Sequence, residues 1–483
     1  MKQIFIDVRV NETRVAVKED DELVELYFER PIKENLVGNI YVGRICSVLP
    51  GMQACFVDIG YERNAFLYFA DAVPRKKGRA ALGKNIRNML KPGQEVAVQV
   101  TKESIGAKGP KVTTHLTLPG KYFVLTPTNA NTGISLKIED YEERERLRTI
   151  SEKLTNGKSG VIIRTDAANK SRKDLTKDLK KLFSLWQEVE NNIQKKEKVP
   201  RCVYREKNIA FKSIRDLFSQ DVDKLIINDA ITYSEMKNYL REMVPQYISK
   251  LMLDEDIDIF DKYGIEPYIS KAAENRVWLK CGGYLVIDRT EALTVIDVNT
   301  GKYIGKSSLE ETVTTVNCQA AREIARQLRL RDISGIIIID FIDMQNEGNR
   351  EKMLSMLKQE LKKDRTKTNI AGMTSLGLIE LTRKKTRQPL DKSILVECPG
   401  CGGTGRVFSP LFIAAGIEKK IEKIASEHQG RHSVLLNDEM AGLFQNELRA
   451  NISEIEEKWN SEIDIKSSKE LKPDEMIILE GED

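Results

Sequence analysis

The chain has few histidines and few cysteines, 3 and 7 in 483 residues. So few histidines argue against chemistry built on a histidine base or on a histidine-rich metal site. A small, odd number of cysteines argues against a disulfide framework and predicts a reducing, cytoplasmic location. No apolar run approaches the ~20 residues of a membrane helix, and Asp7 interrupts the short apolar stretch at the N-terminus. We therefore expect neither a signal peptide nor an integral membrane segment.

The rest of the composition is typical of a globular protein. Hydrophobic residues make up 41% and charged residues 31%, which is enough for several cores and excludes a collagen-like or disordered chain. Lysine and arginine number 77 and aspartate and glutamate 73, so any nucleic-acid surface must be local. At ~150 residues for each domain, the length predicts roughly three domains.

Strand and helix patterns predict an α/β multidomain protein. Three strands fill the first 30 residues, and short strands separated by Gly and Pro suggest a small barrel over about 36–115. Every charged residue in 75–91 is basic, which predicts a flap that faces phosphate, with a solvated loop as the alternative. Residues 277–395 predict a layer with parallel strand pairing, in which the apolar strand at 335–340 is buried on both faces. The acidic segment 469–483 is expected to be frayed.

Two aspartates end apolar strands of this layer. Asp297 closes LTVID and Asp340 closes GIIIID. Ligands gather beyond the carboxyl ends of parallel strands, so this pair predicts a site for a hard cation such as Mg²⁺. Asn299 points to the same side and would assist. The structural alternative is that each aspartate caps a turn or helix, and Asp343 and Asp288 are further strand-end acids.

Basic residues form three clusters, and the phosphates of one RNA could pair with the positive charges of all three. Arg322, Arg326 and Arg329 share one face of a predicted helix, which predicts a phosphate track beside the metal. A solvated face paired with nearby acids is the alternative. The other two clusters are Lys362, Lys363, Arg365 and Lys367, and Arg383, Lys384, Lys385 and Arg387.

Two barrel phenylalanines, Phe56 and Phe66, are candidates for stacking on RNA bases. The alternative is that both are core residues, the commoner fate of a strand phenylalanine. Lys108, in the glycine-flanked loop GAKGPK, is a candidate phosphate contact.

Cys398 and Cys401 form a CxxC motif in CPGCGGTG. Structural zinc needs four ligands, and no second CxxC is present, so the simplest completion is the same motif from a second chain. This predicts a homodimer joined by Zn²⁺ across a two-fold axis. A redox CxxC and a half-copy of the zinc repeat of some co-chaperones are the alternatives.

In their order, several motifs make the chain resemble the ribonuclease E/G family of bacterial endoribonucleases over nearly its whole length. They are NIYVGRICSVLPGMQACFVDIG, VIDRTEALTVIDVNTGK, EIARQLRLRDISGIIIIDFIDM, GLIELTRKK and ECPGCGGTG. Because the chain stops soon after the CxxC segment and a small domain, it looks more like the shorter ribonuclease G branch than the branch with a long scaffold tail.

The resemblance implies a modular architecture. It consists of an RNase H-like domain (1–35 and 205–272) interrupted by an OB-fold RNA-binding domain of the ribosomal S-one type (36–115) and an RNA 5′-end sensor (116–204), then a DNase I-like catalytic domain (273–394), a zinc-link (395–408) and a small C-terminal domain (409–483).

The resemblance also implies roles for individual residues. Asp297 and Asp340 would hold catalytic Mg²⁺ with Asn299 assisting, and Phe56, Phe66 and Lys108 would bind RNA. The implied sensor residues for a 5′-monophosphate are Gly120, Val124, Arg164, Thr165 and Lys367.

The chain departs from the family pattern at two positions. Lys367 stands where the family has an arginine, which keeps the charge and loses the bidentate fork. Ile59 stands where the family has a barrel aromatic, which predicts a weaker stacking surface.

The resulting prediction is a Mg²⁺-dependent endoribonuclease of single-stranded, AU-rich RNA. The resemblance implies a preference for 5′-monophosphorylated RNA, products with 5′-phosphate and 3′-hydroxyl ends, and roles in rRNA and tRNA processing and mRNA decay. The implied assembly is a zinc-joined homodimer, with a dimer of dimers as the alternative. A non-catalytic RNA-binding protein and a zinc-linked co-chaperone remain open as rival functions.

Overall fold

A computed structural model describes residues 1–31, 35–72, 86, 89–104, 108–157, 159–303 and 308–480. Most of the basic segment 75–91 therefore lies outside the described residues. The chain divides into two compact units, Met1–Leu395 and Val396–Asp483, which are described separately below.

The first sheet joins the N-terminus to a distant part of the chain. Its five strands have the order β15-β14-β1-β2-β3. They are β1 (Lys2–Val8), β2 (Thr13–Glu19), β3 (Glu22–Glu29), β14 (Lys224–Ile227) and β15 (Leu251–Leu253). The accompanying helices are α4 (Ile209–Asp216), α5 (Ala230–Met243), α6 (Ile259–Lys262) and α7 (Glu266–Lys271). The three strands predicted at the N-terminus are confirmed.

A closed barrel interrupts this sheet in the sequence. It contains β4 (Ile40–Leu49), β5 (Ala54–Asp58), β6 (Ala65–Tyr68), α1 (Phe69–Ala72), β7 (Glu95–Lys102) and β8 (Lys111–Thr113), with β13 (Arg201–Tyr204) added at its edge. β4 pairs with both β5 and β7, which closes the barrel, and β6 pairs with β8 in parallel. This arrangement of five strands is OB-like and confirms the predicted barrel.

A four-stranded sheet with two long helices follows the barrel. Its elements are β9 (Leu118–Pro119), β10 (Phe123–Thr126), β11 (Gly133–Ile134), α2 (Tyr141–Thr155), β12 (Gly160–Ile163) and α3 (Arg172–Gln194). Asp178 of α3 accepts hydrogen bonds from the backbone N–H groups of Lys121, Tyr122 and Phe123. A buried carboxylate therefore fixes the helix against the start of β10.

The second large sheet has six strands in the order β16-β17-β18-β19-β21-β20. Its elements are β16 (Arg276–Trp278), β17 (Tyr284–Arg289), β18 (Leu293–Asn299), α8 (Leu309–Leu330), β19 (Gly335–Asp340), α9 (Glu347–Lys362), β20 (Thr368–Met373), β21 (Ile379–Arg383) and α10 (Leu390–Ile394). Within this sheet only β18 and β19 are parallel, because only α8 returns the chain as a crossover between neighbouring strands. The predicted parallel pairing is therefore confirmed for β18 and β19. It is wrong for β21, which pairs antiparallel with β19 because β20 and β21 form a hairpin.

The prediction that the GIIIID strand is buried on both faces is also wrong. Ile337 and Ile339 are fully buried in the core that includes α8 and α9, whereas Ile336 on the opposite face is 50% exposed. Helices cover one side of this sheet, and the other side carries polar and apolar residues at its surface.

The second unit is a small α/β domain. Its elements are α11 (Pro410–Glu427), β22 (Arg431–Asn437), α12 (Asp438–Asn446), α13 (Arg449–Trp459), β23 (Glu462–Ser468) and β24 (Ile477–Glu480). β22 is central, parallel to β23 and antiparallel to β24. Because β24 pairs over 477–480, the expectation of a frayed segment from 469 onward is wrong for those residues. Among the described residues, no helix is long and apolar enough to span a membrane.

Candidate active site and RNA-binding surfaces

Asp297 and Asp340 lie opposite each other on the one parallel strand pair of the six-stranded sheet. The register pairs Asp297 at the end of β18 with Asp340 at the end of β19. Neighbouring strands lie about 4.8 Å apart, so the two carboxylates leave the sheet side by side. Both are exposed, because Ile296 and Ile339 before them turn into the core.

Asn299 lies on the same side as this pair. Two residues after Asp297 on β18, it donates a hydrogen bond from Nδ2 to Asp297 Oδ2 at 2.8 Å. The amide thus orients one carboxylate. The structure brings together all three residues that the sequence predicted here.

The negative charges of Asp297 and Asp340 lie close together. Burial raises the pKa of Asp340, and the nearby charges of Asp297 and Asp343 raise it further. No lysine or arginine of the described residues offsets this effect on Asp340. A cation between the carboxylates would relieve this repulsion.

The carboxylates of Asp297 and Asp340 suit Mg²⁺, although they do not provide all of its ligands. In the described part of the chain, no group of three or more His, Cys, Asp or Glu side chains could hold a metal ion. Mg²⁺ needs only one or two carboxylates, since waters and substrate phosphate complete its octahedron. Asp297 and Asp340 supply that minimum.

Asn317 supports the strand end, and sequence reasoning missed it. It lies fully buried on α8, where Nδ2 donates to the carbonyl of Ile342 at 2.8 Å and Oδ1 accepts from its N–H at 3.1 Å. The two bonds hold the backbone two residues beyond Asp340. An unexpected amide within an apolar helix face was the available signal, since buried amides need partners.

An aromatic strip runs across the outer face of the barrel. Phe56 and Phe66 are paired in register with ring centroids 5.6 Å apart, and Tyr68 contacts Phe66 at 4.5 Å. Tyr68 is 44% exposed, and the ammonium of Lys111 lies 4.9 Å from its ring centroid. Because Cys55 and the other alternate residues fill the core, the two phenylalanines are not core residues.

Sequence reasoning missed Tyr68 and Lys111. Tyr68 follows Phe66 by two positions on one strand, so strand alternation places both on one face. Lys108 is exposed just before β8. Ile59 is only 2% exposed and packs in the barrel core, so it offers no stacking surface. A weaker stacking surface at that position stays a prediction.

Arg164 occupies a polar pocket at the end of β12. Its NH1 donates to the carbonyl of Gly120 at 2.7 Å and lies 2.7 Å from Asp216 Oδ1. Thr165 follows, and its hydroxyl lies 2.9 Å from that of Ser135. The neighbouring predicted residue, Val124, is half-buried on β10 opposite the exposed Ile162. Arg164 and Gly120, two of the predicted sensor residues, are therefore in contact.

Lys367 is exposed on the segment between α9 and β20. Two residues earlier, Arg365 donates from NH1 to the carbonyl of Asp216 and from NH2 to that of Leu217. Lys137, beside the pocket, donates to the carbonyl of Asp364 at 2.5 Å. The segment 364–367 is thus anchored against the elements that surround Arg164.

The phosphate track on α8 is not present. Arg329 is 6% exposed and pairs with Glu19 and Glu25, and Arg326 bonds to Glu323 and to the carbonyl of Leu23. Only Arg322 of the three is exposed. These arginines attach the helix to the first sheet, whose carboxylates lie about 300 positions earlier in the sequence.

The basic cluster beginning at Arg383 is also partly structural. Arg383 is 3% exposed and bonds to Asp364 at 2.7 Å and to Asp332 at 2.6 Å. Arg387 pairs with Asp332 and stacks on Tyr27 at 3.8 Å. Lys384 and its neighbour Lys385 remain exposed.

Cys398 and Cys401 lie in a turn rich in glycine before α11. Gly405 N–H donates to Cys401 Sγ at 3.3 Å, and the backbone N–H groups of Gly405 and Gly403 lower the pKa of that thiol. Gly402 has φ of +57°, which a side chain would disfavour. The motif does not open a helix after a strand, as a redox CxxC would, and two thiols suit half of a zinc site.

Comparison with known proteins accords with this geometry. Residues 117–386 match the model of the Ribonuclease E/G family, and residues 397–481 match that of an RNase E/G thioredoxin-like domain. The chain is 41% identical to a ribonuclease G of Haemophilus influenzae over 87% of each chain, and 37% identical to one of Escherichia coli K12 over 94% of each. It is 36% identical to a ribonuclease E of Nostoc over 81% of this chain and 58% of that relative. The resemblance noted from the motifs is confirmed, and the protein belongs to the ribonuclease E/G family.

Proposed function

We propose that this protein is a Mg²⁺-dependent endoribonuclease that cleaves single-stranded, AU-rich RNA in the cytoplasm. The observation that carries the proposal is the opposed pair Asp297 and Asp340, whose charges lack a cationic partner among the described residues. The relatives' names, ribonuclease G and ribonuclease E, support RNA as the substrate. The proposed function includes roles in rRNA and tRNA processing and in mRNA decay.

Asp297 and Asp340 would hold the metal ion. When bound, Mg²⁺ supplies Lewis acidity toward a phosphoryl oxygen and lowers the pKa of water. Asn299 keeps Asp297 oriented through its hydrogen bond. The products carry 5′-phosphate and 3′-hydroxyl ends when water attacks phosphorus and the 3′-oxygen leaves. None of these roles needs a histidine, and His115 instead contacts the carbonyl of Ala70.

The aromatic strip supports a preference for single strands. Phe56, Phe66 and Tyr68 offer ring surface outside the barrel core, and Lys111 adds a charge beside it. Bases stack on such rings only when they are unpaired, because a duplex hides their faces. Lys108 would add a phosphate contact.

The pocket around Arg164 supports recognition of a 5′-monophosphate. A guanidinium fork and the hydroxyl of Thr165 suit a terminal phosphate. Gly120 and Val124 would border the first nucleotide, and Lys367 would add a point charge. The preference for a monophosphate is expected to be weaker than with arginine at that position, since an ammonium lacks the fork.

Cys398 and Cys401 would bind one Zn²⁺ together with the same residues of a second copy. Two thiolates from each chain complete the four ligands of structural zinc. The proposed assembly is a homodimer, and pairing of dimers is compatible with it.

A cleavage assay tests the proposal. One AU-rich single strand is prepared with a 5′-monophosphate or a 5′-hydroxyl and incubated with Mg²⁺ or with EDTA. We expect internal cuts only with Mg²⁺, and faster cuts on the monophosphorylated RNA. Equal rates on both RNAs would support the nuclease activity and contradict the proposed recognition of the 5′-monophosphate. Binding without cuts under any divalent metal would favour the non-catalytic RNA-binding protein.

A further inference from the structure

Asp216, the last residue of α4, lies where three parts of the chain meet. Its Oδ1 lies 2.7 Å from NH1 of Arg164. Its Oδ2 accepts a hydrogen bond from NH2 of Arg215 at 2.9 Å, and its backbone carbonyl accepts one from NH1 of Arg365. One residue thus touches the sensor pocket, its own helix and the segment that carries Lys367.

These contacts determine which edge of Arg164 is available. NH1 is engaged by both Asp216 and the carbonyl of Gly120. Neither Nε nor NH2 donates to another described residue, so this edge remains for a ligand. The Nε–NH2 edge can give two parallel hydrogen bonds to one phosphate.

The charge of Asp216 is compensated within the cluster. Burial works to raise the pKa of Asp216, but Arg215 and Arg164 outweigh it and hold the pKa below the ordinary value. Arg215 makes a two-point contact, with Nε to Oδ1 at 3.2 Å and NH2 to Oδ2 at 2.9 Å. A carboxylate paired in this way repels an incoming phosphate less than a free one would.

Resting on the proposed sensing of a 5′-monophosphate, we propose that Asp216 is a positioning residue for that phosphate. Its carboxylate fixes the Arg164 fork with the Nε–NH2 edge open. Its carbonyl, through Arg365, holds the segment of Lys367 against the same pocket. The two cationic groups that come from different sheets are therefore aligned by one residue of α4.

The test uses the full-length protein with Mg²⁺ and the two RNAs that differ only at the 5′ end. Asp216→Asn is compared with wild type and with Asp221→Asn, a matched change at a carboxylate that pairs with Lys2 at 2.8 Å. We expect D216N to lower the ratio of kcat/KM for monophosphate over hydroxyl RNA about fivefold, through KM. The effect is modest because Gly120 still holds Arg164. D221N should leave the ratio at the wild-type value.

An unchanged ratio or a larger ratio for D216N would overturn the proposal. Equal losses on both RNAs would mean that Asp216 only stabilises the fold, and a larger ratio would mean that it acts as a repulsive charge. Arg365→Met provides a second variant if D216N does not fold, since it leaves the carboxylate intact and removes the contact to the carbonyl of Asp216. It should also lower the ratio, and an unchanged ratio would count against the alignment of Lys367.

Arg164→Ala separates this proposal from the proposed function. If R164A keeps the wild-type ratio, sensing by Arg164 is itself wrong. If R164A lowers the ratio and D216N does not, sensing stands and only the positioning role fails.

Discussion

Asp297 and Asp340 face each other across the parallel pairing of β18 and β19, and burial together with the charge of Asp297 raises the pKa of Asp340. A crossover helix is what makes such a pair possible. It returns the chain so that two neighbouring strands end at the same edge of the sheet. The site therefore depends on α8, whose Asn317 also holds the backbone beyond Asp340.

Replacement of either carboxylate is expected to abolish cleavage and to leave RNA binding largely intact. Asp297→Asn and Asp340→Asn remove one metal ligand each without changing side-chain volume, and we expect a loss of at least a hundredfold in kcat. Single-turnover cleavage and anisotropy with a labelled single strand measure the two effects. Asp288→Asn, a strand-end acid bonded by Asn275, is the control. Parallel loss of binding would contradict a role in chemistry.

Stability should change in the opposite direction from activity. A carboxyl with a raised pKa in the folded state costs stability when it ionises, and that cost disappears as pH falls below its unfolded pKa of about 4. Asp340→Asn should therefore raise the melting temperature at neutral pH by about 1 °C, and the difference should vanish near pH 3. Scanning calorimetry without divalent metal measures it. A lower melting temperature for D340N at pH 7 would contradict a raised pKa of Asp340 in the folded protein.

The sequence alone was enough to predict that the two aspartates lie side by side, but it was not enough to predict the partners of the arginines. Strand-end position and apolar runs are local patterns, so Asp297 and Asp340 could be identified with no knowledge of the fold. Arg329 could not, because its partner Glu25 lies on a strand of another sheet, 304 positions away. A helix face of arginines looks the same whether it faces RNA or a buried carboxylate.

The same distinction applies to Tyr68 and Asp216. Tyr68 was predictable from strand alternation, which places it on the same face of β6 as Phe66. Asp216 ends an ordinary helix, and nothing local distinguishes it from other surface aspartates. Its proposed role comes from Arg164 and Arg365, which reach it from distant parts of the chain.

Arg383 is expected to matter for stability. Its guanidinium and both partner carboxylates are at most 4% exposed, so its removal leaves Asp332 and Asp364 buried without full compensation. Arg383→Ala should cost about 3–5 kcal/mol of unfolding free energy. The exposed Lys384→Ala should stay within about 0.5 kcal/mol. Urea unfolding followed by fluorescence compares the two, and similar midpoints would contradict the buried network.

Tyr68 is expected to contribute directly to the affinity for single-stranded RNA. Loss of one stacking ring costs about 1–3 kcal/mol, so Tyr68→Ala should weaken binding about tenfold. The ring is 44% exposed, so the melting temperature should hardly change. Anisotropy titrations with single-stranded and duplex RNA measure the effect. Tyr141→Ala, which removes a ring 74% exposed elsewhere, is the control. Equal effects of the two variants, or an equal loss on duplex, would count against stacking.

Loss of the two CxxC thiols should release zinc and separate the dimer. In Cys398→Ser combined with Cys401→Ser, no thiolate remains, and a hydroxyl is a poor zinc ligand. Metal analysis should fall from about one Zn²⁺ for every two chains to none, and light scattering should give the mass of a monomer. Cys46→Ser, at an exposed cysteine in the barrel, should change neither value. If the double variant lost its zinc but remained a dimer, zinc would not be what joins the subunits. A wild-type ratio of one Zn²⁺ for each chain would instead show that the site is completed within one subunit.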